Sequence, residues 1–350
     1  MNWLTNFIRP GLRSLVGEQK DVPDNLWEKC PSCDGMLFHS ELKDALNVCY
    51  HCGHHLKITL QQRLALMFDE GKYEKIPLDN VPEDPLKFKD RKKYADRLRE
   101  SRNKTKEKDA LVIAKGKIGG QDTVVAAFNF GFMGGSMGTA VGEGIVKAAE
   151  TAVKNKAALI TVPASGGARM QEGALSLMQM PRTTVAVNMV RGENLPYIVL
   201  LTNPTTGGVS ASFAMLGDIH IAEPGTTIGF AGRRVIEETV RETLPDDFQT
   251  AEYLLDHGII DMVVERKNLN TEIGRILTLL MDPVQKEKSV KKNGKTSKNG
   301  NGNGKKKNSK KRKSGGNVAQ LPVKKPAKVA AKQPANTQDE QPATKAATTK

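Results

Sequence analysis

Residues Pro163–Met178 read PASGGARMQEGALSLM, and the apolar run AALITV at Ala157–Val162 leads into them. A short unbroken apolar run that ends in a Pro/Gly-rich turn has the length of a buried strand, and the residues after Ala168 follow a helical period. The pair Gly166–Gly167 therefore stands where a strand hands over to a helix. Three features of such a turn favour a ligand that carries an oxyanion or a phosphate. Glycines let the backbone come close, a helix start offers unpaired N–H groups, and Arg169 adds a permanent positive charge. An ordinary nucleotide triphosphatase does not fit. No Lys-Ser or Lys-Thr follows the glycines, and GKTS at Gly294–Ser297 lacks the earlier glycine of a P-loop. Met170, Leu175, Leu177 and Met178 read as core residues of the helix.

The same order recurs on either side. VVAAFNFGFMGGSMG (Val124–Gly138) precedes helical IVKAAETAVKN, and PYIVLLTNPTTGG (Pro196–Gly208) precedes VSASFAMLGD, also read as a helix start. Strand-like IHIAE and TTIGF come next, then helical RRVIEETVRETL and QTAEYLLDHG, strand-like IDMVVER and a last helix through Leu280. On the N-terminal side, LQQRLALMFDEG is an amphipathic helix, and the charged, Pro-punctuated stretch Pro77–Asp109 reads as a mostly helical arm. Repeated strand, turn and helix make an α/β architecture whose turns deliver backbone N–H groups to one side. The pattern allows either a doubly wound sheet or a stacked spiral.

All four cysteines fall in one window, CPSC at Cys30–Cys33 and CYHC at Cys49–Cys52. Two C-x-x-C turns at this separation point four thiolates at one tetrahedral ion, as in a zinc ribbon. Two disulfides suit a cytoplasmic chain poorly, and a thiol redox pair needs no second motif. His39, His51, His54 and His55 crowd the same window, but the thiolate set is complete without them. Four thiolates leave no open coordination position, so the zinc, one per chain, is expected to be structural.

Charge divides the chain sharply. From Lys291 to Lys350 there are 17 basic and 2 acidic residues, while the remaining 36 basic and 37 acidic residues almost cancel. The stretch KKNGKTSKNGNGNGKKKNSKKRKSGG and the Lys/Pro/Ala-rich end beyond it have no aromatic residue and little to bury, so residues 286–350 are expected to be a disordered Lys-rich tail. A flexible polycation attracts phosphate with little sequence selectivity, which makes nucleic acid one conceivable partner of tail and ribbon. The start, MNWLTNFIRPGLRSLVG, has helically spaced apolar residues interrupted by Pro10, which reads as an amphipathic segment over 1–25. No run is long enough for a transmembrane segment, and a cytoplasmic protein is expected.

Five motifs now stand in one order: CPSC…CYHC, FMGGSMGTAVGE (Phe132–Glu143), PASGGARMQEG, NPTTGGVSASFAMLGD and IGFAG (Ile228–Gly232). In them the chain, from Leu26 to Asp282, resembles the β subunits of bacterial acetyl-CoA carboxylase carboxyltransferase. The resemblance implies a zinc ribbon over 26–60 and a crotonase-like ββα spiral domain over 61–285. It implies transfer of a carboxyl group from carboxybiotin, on the biotin carboxyl carrier protein, to acetyl-CoA, giving malonyl-CoA for fatty acid biosynthesis. It also implies an α2β2 assembly with the carboxyltransferase α subunit, working beside biotin carboxylase. Gly207 and Gly208 match the family's oxyanion-hole glycines. Ser165, Gly166, Gly167, Ala168 and Arg169 match its acyl-CoA-binding turn, with the Arg169 side chain open to a CoA phosphate or to Glu172. The proton acceptor is expected to be the biotin ureido group, consistent with turns that carry no evident His or Glu base. Arg233 and Arg234 follow IGFAG where the family commonly has Pro.

Two other readings compete. GGSMG (Gly134–Gly138) fits the G-x-S-x-G elbow of a serine hydrolase with Ser136 as nucleophile, for which only His220 or His257 lies downstream as base. A nucleic-acid-binding module of ribbon plus tail leaves the three glycine turns without a purpose.

Overall fold

Side-chain alternation builds the centre of the molecule. In the strands read from VVAAF, ALITV and YIVLL, odd and even residues are both apolar, and both faces of the resulting sheet are buried. The computed structural model describes residues 26–282, so the amphipathic start and the Lys-rich tail expected above lie outside the described residues. The strands are β1 (Trp27–Lys29), β2 (Met36–Phe38), β3 (Tyr73–Ile76), β4 (Leu111–Ile118), β5 (Gln121–Phe128), β6 (Ala158–Val162), β7 (Tyr197–Leu201), β8 (Thr205–Thr206), β9 (Ile219–Ala222), β10 (Ile228–Gly229) and β11 (Met262–Val263). The helices are α1 (His39–Asp44), α2 (Leu60–Met67), α3 (Tyr94–Thr105), α4 (Thr139–Asn155), α5 (Ala174–Leu177), α6 (Gln179–Gly192), α7 (Arg233–Val240), α8 (Ala251–Asp256) and α9 (Leu269–Met281).

The main sheet has the order β11-β9-β7-β6-β5-β4-β3, parallel from β5 to β11 and antiparallel across β3-β4-β5. Val124, Leu159, Tyr197 and Val199 meet α4 and α6 through Val141, Ile145, Val187 and Val190. Val125, Ile160, Ile198 and Leu200 turn the other way, onto Leu64 and Met67 of α2 and Ile273 and Leu277 of α9. Each such side chain removed from water stabilises the fold by roughly 1.5–3 kcal/mol. The crossover helices α4, α6 and α8 all lie on one face, and the strand order never reverses. A doubly wound sheet reverses its order at a switch point, so the chain forms the spiral. A second parallel ladder, β8 with β10 and the single bridge Ser165↔Thr205, gives the extra strand of each ββα turn.

Local chemistry shortens several expected elements. The helix at LQQRLALMFDEG stops at Met67, and of Pro77–Asp109 only α3 is helical. No α-helix follows TTGG. Ser210 Oγ donates to the Gly207 carbonyl (2.9 Å) and Ser212 Oγ to that of Gly208 (2.6 Å), so hydroxyls take carbonyls that a helix would use. Nor does a helix begin directly after Gly166–Gly167. A single 3-10 turn at Met170–Glu172 ends at Gly173, whose φ of 49° and ψ of −130° suit glycine alone, and the helix restarts as α5.

The ribbon is latched to the spiral by buried charge. Arg63 of α2 donates to both Glu223 oxygens at 2.6 and 2.8 Å, and Arg266 does so at 2.8 and 3.0 Å. Arg266 Nη1 also reaches the Leu46 and Asn47 carbonyls of the ribbon (2.8 and 3.2 Å). Burial by itself pushes the Glu223 carboxyl up, but the two guanidinium groups and His55 prevail and hold it far below the usual carboxylate range. Removing one partner of such a group typically costs about 3–5 kcal/mol, and Glu223→Gln is expected to lose that much in urea unfolding. A depressed folded pKa gives stability that is present above the unfolded value and lost as pH falls through and below it. The gap between wild type and Glu223→Gln should therefore be widest near neutrality and narrow below about pH 4.3. A gap independent of pH would mean that charge does not hold the latch.

Candidate functional site

The connections that leave the C-terminal ends of β5, β6 and β7 are sewn together through their backbones. Gly166 N–H donates to the Gly134 carbonyl (3.0 Å), Met137 N–H to that of Gly167 (2.8 Å) and Arg169 N–H to that of Met137 (2.9 Å). Ser165 N–H donates to the Pro204 carbonyl (2.7 Å), Thr206 N–H returns to Ser165 (3.0 Å), and Ser165 Oγ accepts from Gly167 N–H (3.0 Å). At the crossing only glycine fits. Gly167 and Gly207 have φ of 110° and 64°, and a Cβ on Gly207 would stand 3.0 Å from the Gly167 Cα.

This stitching decides which N–H groups remain for a ligand. Those of Gly166 and Gly167 are taken, and Gly207 N–H donates to the Phe230 carbonyl at 2.9 Å. Gly207 is thus corrected from oxyanion donor to the residue that shapes the turn. Ala168 and Gly208 are different: among the described residues neither N–H has an acceptor. They lie close together, because a Cβ on Gly208 would come 3.7 Å from the Ala168 nitrogen. A groove of about 480 Å³ opens over Gly134, Gly166, Ala168 and Met170. Two unpaired amides beside a groove can hold an oxyanion.

Arg169 turns inward. Its side chain is 0% exposed, so its guanidinium is not open to a CoA phosphate. Nη1 and Nη2 grip Asp109 at 3.1 and 2.6 Å, Nε donates to Ser136 Oγ (3.1 Å), and Nη2 donates to the Ser136 carbonyl (2.8 Å). Nη1 also reaches Tyr94 Oη (3.1 Å) and Glu172 (3.4 Å). Glu172 in turn accepts from Tyr94 Oη (2.6 Å) and from both the N–H and hydroxyl of Thr139 (2.6 and 2.7 Å), at the start of α4. Burial pushes the Glu172 carboxyl up, yet these hydrogen bonds and Arg169 bring it below its ordinary value. For Tyr94, burial drives the phenol well above its ordinary range. Arg169 thus clamps the second turn to α3, to the strand at Asp109 and to α4.

Cys30, Cys33, Cys49 and Cys52 converge until all four Sγ atoms lie within 4.8 Å of one another, a set able to hold a metal ion. Separations of 3.7 Å (Cys30–Cys52) and 3.8 Å (Cys33–Cys49) are far beyond a disulfide bond of about 2.05 Å. No hydrolase assembles around Ser136. Its hydroxyl faces Arg169, His220 Nε2 accepts from Gly217 N–H (3.1 Å), and His257 Nδ1 meets the Tyr253 carbonyl (2.7 Å).

Comparison with known proteins agrees with this arrangement. A family model described as the carboxyl transferase domain matches residues 84–299. The acetyl-coenzyme A carboxylase carboxyl transferase subunit beta of Granulibacter bethesdensis is 58% identical over 284 residues, 81% of this chain and 92% of that protein. Its counterpart in Sinorhizobium fredii is 56% identical over 286 residues, 81% of this chain and 94% of the other. The chain belongs to this carboxyl transferase β-subunit family. Solved structures share the fold. A transcarboxylase 12S structure with methylmalonyl-coenzyme A and methylmalonic acid bound has a TM-score of 0.52 at 22% identity, covering 68% of this chain and 43% of that one. A Pseudomonas malonate decarboxylase hetero-tetramer in complex with malonate gives 0.51 at 22%, covering 63% and 82%.

The outward side of the site is apolar. Met170, Leu175, Leu177 and Met178, expected in the core, are 73%, 37%, 56% and 64% exposed, and Val185 and Met189 of α6 continue the face. Helical spacing marks a face to be covered without saying what covers it. Arg233 donates to the Leu244, Pro245 and Asp246 carbonyls and so ties down the loop after α7. Among the described residues, no helix is long and apolar enough to cross a membrane.

Sequence reading missed Tyr94, Asp109 and Thr139, because Arg169 reaches Tyr94 across 75 residues and Asp109 across 60. A faint signal existed in Asp109, an acid standing directly before an apolar strand. Arg169→Met leaves Asp109 buried without its cation and is expected to destabilise the chain by about 3–5 kcal/mol. Adding Asp109→Leu should recover part of that loss, which chemical unfolding of both variants would measure. If the double variant lost the sum of the two single effects, the pair would not act as a unit.

Proposed function

We propose that this chain supplies the acyl-CoA half of a biotin-dependent carboxyl transfer, from carboxybiotin to acetyl-CoA, forming malonyl-CoA. The observation that carries the reading is the pair of unpaired amides at Ala168 and Gly208, in a chain whose relatives are named for this transferase. Carbon–carbon bond formation needs the acetyl methyl to lose a proton, and negative charge then gathers on the thioester oxygen. Fixed N–H donors aimed at that oxygen stabilise the enolate without reorganising. Ser165, Gly166 and Gly167 shape the turn beneath the thioester, Ala168 and Gly208 donate, and Arg169 positions the turn from behind. Carboxybiotin on its carrier protein would supply the carboxyl group: its bond from nitrogen to the carboxyl carbon would break, and that nitrogen would take the methyl proton. The enolate's electron pair would then form the new bond from the former methyl carbon to the carboxyl carbon, and the thioester carbonyl would re-form.

The partners are inferred from the same chemistry. The exposed face of Met170, Leu175, Leu177, Met178, Val185 and Met189 borders the groove, and a carboxyltransferase α subunit that brings the biotin side would cover it. Biotin carboxylase and the carrier protein complete the system. The ion of the ribbon is zinc. A tetrahedral Zn–S bond of about 2.3 Å requires sulfur–sulfur edges of about 3.8 Å, and two of the edges are 3.7 and 3.8 Å. Its role is structural, since four thiolates fill the coordination sphere.

Two experiments test the reading. In the reverse reaction, with malonyl-CoA, a soluble biotin analogue and the α subunit, Gly207→Val should lose about 10²–10³ in turnover. Acetyl-CoA affinity should fall far less, because the displaced amides act on charge that develops after binding. Normal turnover by a well-assembled Gly207→Val complex would remove the oxyanion assignment. For the ribbon, metal analysis should find about one zinc per chain, lost in Cys49→Ser together with ribbon stability and assembly. Stoichiometric zinc in that variant at unchanged stability would disprove the ligand set.

A further inference from the structure

Strand geometry sorts the apolar residues of the ribbon into two sets. In the β1–β2 pair, successive side chains point to opposite faces, and residues opposite one another across the strands share a face. Leu37 points inward and is buried with Leu42 and Leu56. Trp27, its cross-strand partner Phe38, and Met36 therefore share the outer face with Lys29, which pairs with Asp34 at 2.9 Å. The Trp27 and Phe38 ring centroids are 5.2 Å apart. Tyr50 extends the same surface, because its Oη accepts from Phe38 N–H (3.0 Å) and donates to the Met36 carbonyl (3.3 Å). Trp27, Met36 and Tyr50 are 54%, 52% and 42% exposed. Large apolar side chains grouped on a module whose core holds five buried residues mark a face that something covers.

The chain itself leads into this face. His39 N–H donates to the Leu26 carbonyl (3.0 Å), so the pairing of the two strands continues to the first described residue, and the preceding chain joins the ribbon next to Trp27 and Phe38. Residues 1–16, MNWLTNFIRPGLRSLV, lie outside the described residues, and their sequence has the complementary character. Trp3 and Phe7, like Leu4 and Ile8, stand four residues apart, Leu12 and Leu15 follow, and the stretch carries Arg9 and Arg13 with no acid. On the ribbon, Glu28, Glu41 and Asp44 are exposed acids without an ion pair among the described residues. We propose that residues 1–16 dock back on the outer face of their own ribbon, with Trp3 and Phe7 covering Trp27, Met36 and Phe38. The nine residues between Val16 and Leu26 can span about 30 Å, ample for so small a module. A tether this short holds the segment at about millimolar effective concentration, so modest apolar contacts suffice. The segment then acts as a cover, and any base or peptide that stacks on Trp27 has to displace it first.

The two tryptophans of the chain, Trp3 and Trp27, stand on the two sides of this contact and report on it. In full-length Trp27→Phe, Trp3 is the sole tryptophan, and its emission should be blue-shifted and shielded from acrylamide. Phe7→Asp lies outside the ribbon and leaves its core untouched; it should lower the docked-to-free ratio about tenfold or more and expose Trp3. Met36→Asp, on the face itself, should do the same at unchanged metal content. In Trp3→Phe, adding Phe7→Asp should in turn expose Trp27. Hydrogen exchange of residues 1–16 in the assembled α/β complex should be slow in wild type and fast in Phe7→Asp. A Trp3 fully open to quencher in the native chain would overturn the proposal. So would shielding that survives both substitutions, since the segment would then sit elsewhere. Shielding that falls on dilution gives the face to a second copy of the chain, and shielding of Trp27 that appears only with the α subunit or with added single-stranded RNA gives it to that partner. Each of these outcomes rejects docking within one chain.

Discussion

The site depends on the buried clamp around Arg169. Its guanidinium grips Asp109, Ser136, Tyr94 and Glu172 at once, and Glu172 extends the contact to the first residue of α4. Isolated, each of these charges would be far too costly to bury. Joined, they tolerate only the arrangement in which the turn after β6 sits against the turn after β5. A turn with two adjacent glycines would otherwise be among the most mobile parts of the chain. The clamp gives it the rigidity that fixed N–H donors need, without placing a charged side chain in the groove.

Backbone hydrogen bonding does the rest of the positioning. When turns donate to one another, as Ser165 does to Pro204 and Gly207 does to Phe230, most of their amides are consumed. Among the turn amides left without an acceptor are those of Ala168 and Gly208, which lie side by side. Gly167 and Gly207 stay at the crossing because their φ values and their contact exclude a side chain. The candidate site is thus mostly main-chain geometry, lined by no histidine and by one carboxylate, Glu100, which pairs with Lys92.

The ribbon enters the same scheme by electrostatics. Glu223, at the end of β9, holds Arg63 from α2 and Arg266 from the segment before α9, and Arg266 carries the contact into the ribbon backbone. A small module with a core of five buried side chains, two of them cysteines of the set able to hold a metal ion, has little rigidity of its own. The Arg266 contact fixes it against the spiral.

By itself the sequence determined the strands, the ribbon and the family. Short continuous apolar runs such as YIVLL, bounded by turn residues, have the length of strands buried on both faces, and two C-x-x-C turns bring their thiolates together by local geometry. Five ordered motifs were enough to mark a carboxyltransferase β subunit, because each is a contiguous signature. The tertiary structure decided which parts of those motifs are free to act. Helical spacing after Ala168 could not reveal that Met170 and Met178 are exposed, since amphipathicity marks a face and leaves its cover open. Nor could it assign Arg169, whose partners lie 60 and 75 residues away, or separate the spent amide of Gly207 from the unpaired one of Gly208. Whether an N–H or a guanidinium is available depends on acceptors brought up by distant segments, and only folding places those within about 3 Å.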